Sequence, residues 1–438
     1  MKSTTRWGCA LAFLVIAGGL LAACGGSGGG GGTSSSGGSG KEVVITCESC
    51  PTTAPKDDPF SVFYKEMWEA FNEKYKGTYR IEPKPFKPTS DEESAEHFER
   101  EAATGTLSDL FTDQSNVIRS AAEAGTVLNI APFLEEDSAW KESFVPEAFA
   151  SASNEAGEIF GVPEETDSIG IYYNKGLFAK AGIGSFPTTW EQLLEDCSKL
   201  KASGTIPFAM DGDWVTQLMW TNLIGTQPGG EKFLKHEISE GNYADNPIVV
   251  KATEFLKQMH TEGCVNSDAF SGNYESAAAP FLAGEAAMIA NGPWMTSEIA
   301  AEGTKEVGYE RSPGDGLIVV TGSAVWASGA HDSESEEAVI AFMKFLTSEE
   351  EMFTKAVKTG SYWPIEFTPS ASQVKKLDPL SYKLVSETPE VKYTYPNSKF
   401  DTSQQFSTEW INDWPAYVQG GMSTEEFLDA LSAAQEKQ

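Results

Sequence analysis

The sequence predicts an α/β protein with mainly parallel sheets, divided into two lobes. Strand-like and helix-like segments alternate, beginning with the β-branched run at residues 42–46 and the amphipathic segment at 59–75. The same alternation starts again at the strand 170–173 and the helix 190–201, which Thr189 is placed to cap. With 438 residues, the chain is long enough for two domains that each bury a full core.

The remaining elements follow the same two patterns. Helices are predicted at 91–104, 175–181, 248–262, 274–283, 335–346, 348–358, 407–418 and 424–435, and strands at 79–83, 109–112, 286–289, 307–310, 316–320 and 324–326. In open α/β sheets, ligands bind beyond the carboxyl ends of strands. Asp113 and Gln114 lie at such an end, and we expect them to face a cleft.

The first 23 residues have the features of a secretory signal. Lys2 and Arg6 form a basic head, and residues 10–23 form an apolar run of 14 residues. Such a run is too short for a transmembrane helix, which needs about 20 apolar residues. The sequence Leu-Ala-Ala-Cys that ends at Cys24 resembles the bacterial lipobox. We therefore expect cleavage before Cys24 and lipidation of its sulfur, an ordinary signal peptide being the alternative.

The segment after Cys24 predicts a tether, and the composition of the chain predicts a strongly acidic protein. Residues 25–40 contain only Gly, Ser and Thr, which predicts a flexible tether. Without the first 23 residues, 30 basic side chains stand against 64 acidic ones, because Lys2 and Arg6 are removed from the 32. An excess of this size repels nucleic acid and anionic lipid. We expect no nucleic-acid partner and membrane contact through the lipid anchor alone.

The cysteines of the mature chain predict disulfides. Cys47, Cys50, Cys197 and Cys264 remain besides Cys24, and an even number outside the cytosol indicates two bridges with three possible pairings. We favour Cys47–Cys50 and Cys197–Cys264. A redox role for Cys47 and Cys50 is an alternative, although no helix starts at the motif. No histidine pair stands at ligand spacing, so we expect no zinc or other cofactor.

Several short blocks occur together in the second and third quarters of the chain. They are Ile159-Phe-Gly-Val-Pro163, Gly170-Ile-Tyr-Tyr-Asn-Lys175, Thr189-Trp190, Phe281-Leu-Ala-Gly-Glu-Ala-Ala-Met288 with Asn291-Gly-Pro-Trp294, and Thr321-Gly322-Ser323. In this order, they resemble the family 1 extracellular solute-binding proteins, the sugar-binding components of ABC importers. The resemblance extends from about residue 40 to the C-terminus.

The resemblance implies a two-lobed fold of the type II periplasmic-binding-protein class, with hinge crossovers and a central ligand cleft. The expected N-terminal lobe comprises 41–164 and 310–347, and the C-terminal lobe 165–309 and 348–438. Crossovers are expected near 163–166, 307–313 and 348. Lobe closure around a sugar, a motion typical of periplasmic binding proteins, would then present the ligand to an ABC permease. We expect a monomer without enzymatic activity, anchored to the outer face of the cytoplasmic membrane.

A sugar site needs aromatic faces and planar polar groups. The resemblance places Trp294 at the cleft and brings the loop with Tyr362 and Trp363 towards it. The remaining candidates come from polar turns, from the first crossover and from a helix face. They are Trp214 and Asp213 in the turn Asp211-Gly-Asp-Trp, Glu164, Glu165 and Asp167 at the crossover, and Trp410 near the C-terminus.

Two other functions use the same residues. A secreted glycoside hydrolase could employ two carboxylates from the crossover cluster, at separations that sequence does not give, but no hydrolase signature is present. A binding protein for a non-sugar solute is the other alternative. A phosphate ester would require a glycine-rich helix start with Lys or Arg, and none is convincing. A polyamine would require several acids, and this chain has many.

Overall fold

The structure of the protein, a computed structural model, describes residues 41–56, 58–88, 91–146, 148–329 and 332–436. The predicted signal segment, Cys24 and the tether lie outside the described residues, so they stay predictions. No helix in the described ranges is both long enough and apolar enough to cross a membrane.

Strands and helices alternate along the described chain. The strands are β1 (Val43–Cys47), β2 (Tyr79–Pro83), β3 (Phe111–Gln114), β4 (Gly161–Pro163), β5 (Thr166–Asn174), β6 (Ile206–Ala209), β7 (Ala286–Asn291), β8 (Val307–Glu310), β9 (Gly316–Thr321), β10 (Ala324–Ala327) and β11 (Tyr393–Tyr395). The α/β class predicted from the sequence is thereby confirmed.

The helices include each of the predicted ones, with ends displaced by three residues at most. They are α1 (Pro59–Lys74), α2 (Asp91–Thr104), α3 (Ser115–Ala122), α4 (Ala131–Glu136), α5 (Ser138–Glu142), α6 (Lys175–Lys180), α7 (Trp190–Ala202), α8 (Trp214–Gly225), α9 (Gly230–His236), α10 (Pro247–Thr261), α11 (Tyr274–Leu282), α12 (Met295–Glu302), α13 (Ser333–Leu346), α14 (Glu349–Thr359), α15 (Ala371–Val374), α16 (Pro379–Glu387), α17 (Gln404–Val418) and α18 (Thr424–Gln435). Thr189 caps α7 as predicted, because its side chain accepts from the Gln192 amide.

The sheets are mixed, so the expectation of mainly parallel sheets is wrong. Strands β1 and β2 pair in parallel, and β10 lies antiparallel between β3 and β4. In the six-stranded sheet, β5 pairs antiparallel with β7, β8 and β9, whereas β6–β7 and β9–β11 are parallel. Alternation of elements along a chain does not fix strand direction, because direction depends on which strands become neighbours.

Two large hydrophobic cores organise these sheets. The first packs α1 and α13 against β1, β2 and β10, and the Phe71 and Phe342 rings meet there at 5.5 Å. The second packs on one face of the six-stranded sheet and contains Trp220, Trp410 and Trp414. A smaller cluster with Tyr172 and Tyr309 covers the other face. Burial of aromatic side chains of this size contributes much of the stability of a core. The molecule is therefore built as two lobes, each with its own interior.

The chain passes between the two cores at three places. The first lies between β4 and β5, at residues 163–166, where it was predicted. The second lies at 321–324 and not at 307–313, because β9 still belongs to the six-stranded sheet. Helix α14 packs on α1 after residue 348, so the third passage follows it. The predicted lobe boundaries themselves stay a prediction.

Helix α8 is the main element that sequence reasoning missed. Its first residue, Trp214, was assigned to a polar turn. All of its remaining residues, Val215 to Gly225, are buried. A helix enclosed on every side has no polar face, so it lacks the 3.6-residue periodicity that identifies surface helices.

The cysteines behave in two different ways. Cys47 and Cys50 form a disulfide with an S–S distance of 2.03 Å, as predicted. Cys197 and Cys264 are free and buried, so their predicted bridge is absent from the structure. A hydrogen bond with Cys264, together with burial, raises the pKa of the Cys197 thiol. Since the thiolate is the reactive form, the Cys197 thiol is held in its unreactive state.

One arginine connects the two cores. Arg119 on α3 donates from Nη1 to the Ser151 carbonyl at 2.6 Å and from Nη2 to the Phe400 carbonyl at 2.7 Å. Phe400 packs against the second core. Burial lowers the pKa of Arg119, and the nearby Asp401 carboxylate opposes that effect. The guanidinium thus bridges the lobes through main-chain atoms.

Candidate functional site

The first turn of α1 separates two cavities. Asp58 caps this helix by accepting from the Ser61 amide at 3.0 Å. Phe60 and Tyr64 follow one turn apart, with ring centroids 6.5 Å from each other. One cavity contains Tyr64 in its wall and the other contains Phe60. We call them the strand-end cavity and the aromatic cavity.

The strand-end cavity has a volume of about 460 Å³. Its wall combines side chains from the ends of β1 and β3, from the segment after β2 and from α2. They are Glu48, Ser49, Tyr64, Phe86, Pro88, Ser94, Phe98, Thr112, Asp113, Gln114 and Ala324. The carboxyl ends of strands therefore form this part of the cleft, as the general rule for α/β sheets leads one to expect.

Hydrogen bonds fix the acids of the strand-end cavity within their own lobe. Asp113 accepts from the Ser94 hydroxyl and from the Gln114 amide. Glu48 accepts from the Ser108 hydroxyl at 2.8 Å and lies 2.8 Å from His97 Nε2. Asp113 and Gln114 are thus in the wall, where the sequence led us to expect them. Their contact with a ligand stays a prediction.

The aromatic cavity has a volume of about 370 Å³. It lies between α1, the start of α12 and the first crossover. Its lining residues are Asp58, Pro59, Phe60, Glu165, Trp294, Ser297, Glu298 and Ser361. Trp294 directly precedes α12 and is half-buried, so part of its indole faces the cavity.

Stacked rings support Trp294 from behind. Trp214 lies 6.2 Å from Trp294 and stacks on Tyr274 at 5.1 Å between centroids. The Tyr274 hydroxyl donates to Glu298 Oε1 at 2.7 Å. Burial and the Glu298 carboxylate together raise the pKa of Tyr274. Trp214 therefore supports the wall of the cavity, whereas Trp294 forms its surface.

Asp211, not Asp213, holds the start of α8. Its carboxylate accepts from the amides of Asp213 at 3.0 Å and Thr216 at 3.1 Å. Burial raises the pKa of Asp211 to about 7. Asp213 is half-buried and lines neither cavity. The sequence suggested Asp213 as a ligand contact because it stands beside Trp214, and that contact stays a prediction.

A buried ion cluster lies beneath both cavities. Lys355 Nζ is 2.8 Å from Glu164 Oε1 and 2.6 Å from Glu165 Oε2, and Lys355 is 1% exposed. The Tyr64 hydroxyl donates to Glu164. Burial alone would lower the pKa of Lys355, but Glu164 and Glu165 raise it. The lysine was missed because its partners are nearly 200 residues away in sequence.

Of the three crossover acids, Glu165 is the one that lines a cavity. Burial would raise its pKa, but Lys355 outweighs that effect and lowers it. Glu164 is occupied by Tyr64 and Lys355. Asp167 is buried beside Ser323 at 3.3 Å, and burial with the Glu165 charge raises its pKa well above the usual value. Glu164 and Asp167 were named as ligand contacts, and both lie behind the cavity wall.

Tyr362, Trp363 and Trp410 line neither cavity, although the sequence suggested that they contact ligand. The Tyr362 hydroxyl lies 3.0 Å from Ser381 Oγ, and Trp363 Nε1 donates to a main-chain carbonyl at 3.1 Å. Trp410 is fully buried and stacks on Trp414 at 5.1 Å. The four-residue spacing of these two tryptophans marks one helix face, which here packs in the core. Ser361, next to Tyr362, reaches the aromatic cavity instead.

Within the described ranges, one group of side chains has the spacing of metal ligands. Ligand atoms of Glu48, His97 and Glu101 lie within 4.8 Å of one another. Arg100 Nη2 approaches His97 Nδ1 at 3.1 Å. An arginine can only donate, so His97 Nδ1 accepts in this contact. His97 Nε2 is then the donor to the Glu48 carboxylate. Glu48 and His97 are thus hydrogen-bonded to each other, whereas Glu101 Oε2 is buried without a hydrogen-bond partner among the described residues.

Fold and site together define a two-lobed binding protein with its cavities near the crossovers. Residues 66–383, nearly three quarters of the chain, match the family described as bacterial extracellular solute-binding protein. The chain therefore belongs to this family. Members are binding proteins that act outside the cytoplasm, which agrees with the prediction that the chain is an exported binding protein.

Curated relatives of the chain are periplasmic binding proteins. The sn-glycerol-3-phosphate-binding periplasmic protein of Rhizobium meliloti is 25% identical over 240 residues, which cover 51% of this chain and 54% of that protein. The protein of the same description from Brucella melitensis is 24% identical over 283 residues, covering 61% and 63%. The matches thus span between about half and two thirds of these relatives.

Solved structures agree with the two-lobed fold over nearly the whole described chain. A chitin oligosaccharide binding protein superposes with a TM-score of 0.78 at 20% identity, covering 91% of this chain and 99% of that one. A maltose-bound protein of T. maritima has a TM-score of 0.69 at 21% identity, covering 90% and 99%. A raffinose-bound solute-binding protein has a TM-score of 0.66 at 18% identity, covering 89% and 98%. The fold class is thereby confirmed.

Proposed function

We propose that the protein captures a sugar, most simply an oligosaccharide, in the cleft formed by its two cavities and delivers it to an ABC importer. The observation that carries this proposal is the half-buried Trp294, which stands on a ring-supported wall beside carboxylates and hydroxyls. A flat aromatic face packs on the apolar C–H surface of a sugar ring, and the adjacent polar groups bind its hydroxyls.

The size and chemistry of the cleft support a ligand of more than one ring. The volumes of about 460 and 370 Å³ each fall in the range of small-molecule sites, roughly 300–1,000 Å³. Asp113 and Gln114 offer planar hydrogen-bonding groups on one side of α1. Trp294 and Glu298 offer a ring and a carboxylate on the other. A chain of sugar units could extend past Tyr64 from one cavity to the other.

The arrangement of the crossover acids argues against the alternative of a glycoside hydrolase. Such an enzyme needs one carboxyl group as acid and another as base or nucleophile, both facing the bond that is cleaved. Glu164 and Asp167 lie behind the wall, and Glu165 is bound to Lys355. The family and the relatives are binding proteins as well. A receptor therefore fits the cleft better.

Lobe closure and membrane attachment complete the proposal. The segments 163–166 and 321–324 link the sheets of the two lobes and serve as hinges, and a third passage follows α14. Cys24 carries the lipid anchor, and residues 25–40 let a monomeric receptor turn towards its permease. Mass spectrometry of the mature N-terminus tests the anchor. A diacylglyceryl-modified Cys24 is expected, and an unmodified N-terminus at another residue contradicts it.

A ligand screen tests the sugar proposal. Tryptophan fluorescence and thermal shifts are recorded with maltotriose, raffinose, cellotriose, xylotriose, triacetylchitotriose and chitotriose, with spermidine and glycerol 3-phosphate as non-sugar probes. At least one oligosaccharide should raise the melting temperature and change the fluorescence. Silence across all sugars, with a response to a non-sugar probe, would overturn the proposal. Small-angle scattering with the responding sugar should show compaction.

A further inference from the structure

The charge of the cleft has one sign. Asp58, Glu165 and Glu298 line the aromatic cavity, and Glu48 and Asp113 line the strand-end cavity. Among the described residues that line either cavity, none is a lysine, arginine or histidine. A cleft lined by charges of one sign concentrates ligands of the opposite charge. The lining therefore favours ligands that carry positive charge over those that carry negative charge.

The three acids of the aromatic cavity differ in how their charges are compensated. Glu165 pairs with Lys355 at 2.6 Å. Asp58 caps α1 and accepts from both the amide and the hydroxyl of Ser61. Glu298 receives a hydrogen bond from Tyr274, a neutral group, and forms no salt bridge with any described residue. Burial raises the pKa of Glu298, as expected for a carboxylate without a nearby cation.

Two further groups stand around Glu298. Trp294 lies four residues before it, so the two side chains lie on the same side of that turn. Ser361 is 1% exposed, and its hydroxyl lies beside Glu165, whose pKa it helps to lower. Within the described ranges, this hydroxyl has no hydrogen-bond partner at bonding distance and angle. A buried hydroxyl without a partner is costly unless a ligand or water completes it.

We infer that the aromatic cavity binds a sugar unit that carries a protonated amine, an inference that rests on the proposed sugar-binding function. An ammonium group has three donors, a number that suits the Glu298 carboxylate, the Ser361 hydroxyl and the Glu165 carboxylate. The face of a tryptophan attracts cations, so Trp294 favours the same ligand. A sugar phosphate would meet the uncompensated Glu298 carboxylate instead. The specificity thus differs from that named for the glycerol-3-phosphate-binding relatives.

Three trimers with the same β-1,4 backbone isolate the amine. Cellotriose has a hydroxyl at carbon 2 of each ring, triacetylchitotriose has an acetamide, and chitotriose has a protonated amine. Titration calorimetry near pH 6 and low salt should give chitotriose a Kd at least tenfold below those of the two neutral trimers, since a hydrogen bond to a charged group is worth about tenfold or more. Raising the salt concentration should reduce this advantage, as partly exposed charges are screened.

The variant Glu298→Gln assigns the effect to one carboxylate. Gln keeps an oxygen for the Tyr274 hydroxyl but loses the charge. It should weaken chitotriose binding about tenfold more than it weakens binding of the neutral trimers, whereas Glu425→Gln on an exposed face of α18 should change neither. Circular dichroism and the melting temperature confirm that both variants fold.

The outcomes separate this inference from the proposed function. Equal affinity for the three trimers, or a charge preference that survives in Glu298→Gln, overturns the inference while leaving sugar capture intact. Tighter binding of glycerol 3-phosphate than of any trimer also overturns it. Failure of every sugar in the wider screen removes the proposed function, and with it the basis of the inference.

Discussion

The two cavities beside α1 are built by different means. In the strand-end cavity, the acids Glu48 and Asp113 are already bound by serine hydroxyls and a histidine of the same lobe. In the aromatic cavity, rings stack behind Trp294, and Glu298 has no cationic partner among the described residues. The first arrangement fixes the direction of hydrogen bonds, and the second leaves charge available. A sugar would thus be oriented in one cavity and selected in the other.

The ion cluster beneath both cavities is their common support, so its removal should have the largest effect. Lys355→Met leaves Glu164 and Glu165 buried without their cation, which typically costs about 3–5 kcal/mol of unfolding free energy. Urea denaturation measures this loss. Lys358→Met is the control, because the Lys358–Glu66 pair is far more exposed and should change stability by less than about 1 kcal/mol. Equal losses of unfolding free energy in the two variants would contradict a special contribution of the buried cluster to stability.

Asp211 gives the aromatic side a pH dependence of stability that extends to neutral pH. Its pKa of about 7 lies above the ordinary aspartate value, so between about pH 4 and 7 the folded state holds a proton that the unfolded state has released. Stability from this group therefore falls as the pH rises through that window. Asp211→Asn removes the titration, and its unfolding free energy relative to wild type should rise by roughly 2–3 kcal/mol from pH 5 to pH 7.

The control for this pH effect is an exposed aspartate. The unfolding free energy of Asp245→Asn should change with pH in the same way as that of the wild type, because Asp245 lies on the surface. Chemical denaturation at pH 5, 6 and 7 provides the comparison. A constant difference between Asp211→Asn and wild type would mean that Asp211 does not titrate in this window.

Trp294 tests the aromatic side of the binding site alone. Trp294→Ala removes the ring surface and should weaken binding of the responding sugar by about 2 kcal/mol, or roughly 30-fold, as for a tryptophan at the centre of an interface. Trp363→Ala is the matched control, since Trp363 lines neither cavity. Titration calorimetry measures the Kd of the responding sugar for both variants. Equal effects would return the loop at residues 359–364 to the list of ligand contacts.

Asp113 tests the strand-end side and should have the smallest effect. Asp113→Asn keeps one oxygen for the Gln114 amide and replaces the other by a donor. The amide can still bond to a sugar hydroxyl but has no charge, so the substitution should cost about 1 kcal/mol, or roughly fivefold in Kd. Glu142→Gln on the exposed end of α5 should leave Kd unchanged. An effect larger than that of Trp294→Ala would reverse the roles assigned to the two cavities.

Local patterns in the sequence predicted many of the helices and strands and one or two residues of each cavity. Trp294 could be identified because Gly and Pro precede it in a family-like block, and Asp113 because it ends a strand. Tyr64 could not, since the apolar periodicity of α1 says only which face is buried and not that a hydroxyl reaches Glu164. Lys355 depends on contacts nearly 200 residues away. Long-range pairing also decided the mixed sheets and the true position of the second passage.

The contacts of Arg119 determine which positions of the bridge between the lobes tolerate substitution. Both of its acceptors are main-chain carbonyls, at Ser151 and Phe400. Any amino acid supplies a carbonyl, so substitutions at those two positions keep the bridge between the lobes. The guanidinium itself has no such substitute, because no other side chain presents its planar fork of donors. Saturation libraries should therefore accept many residues at 151 and few at 119, whereas position 400 is restricted by the packing of Phe400 against the second core.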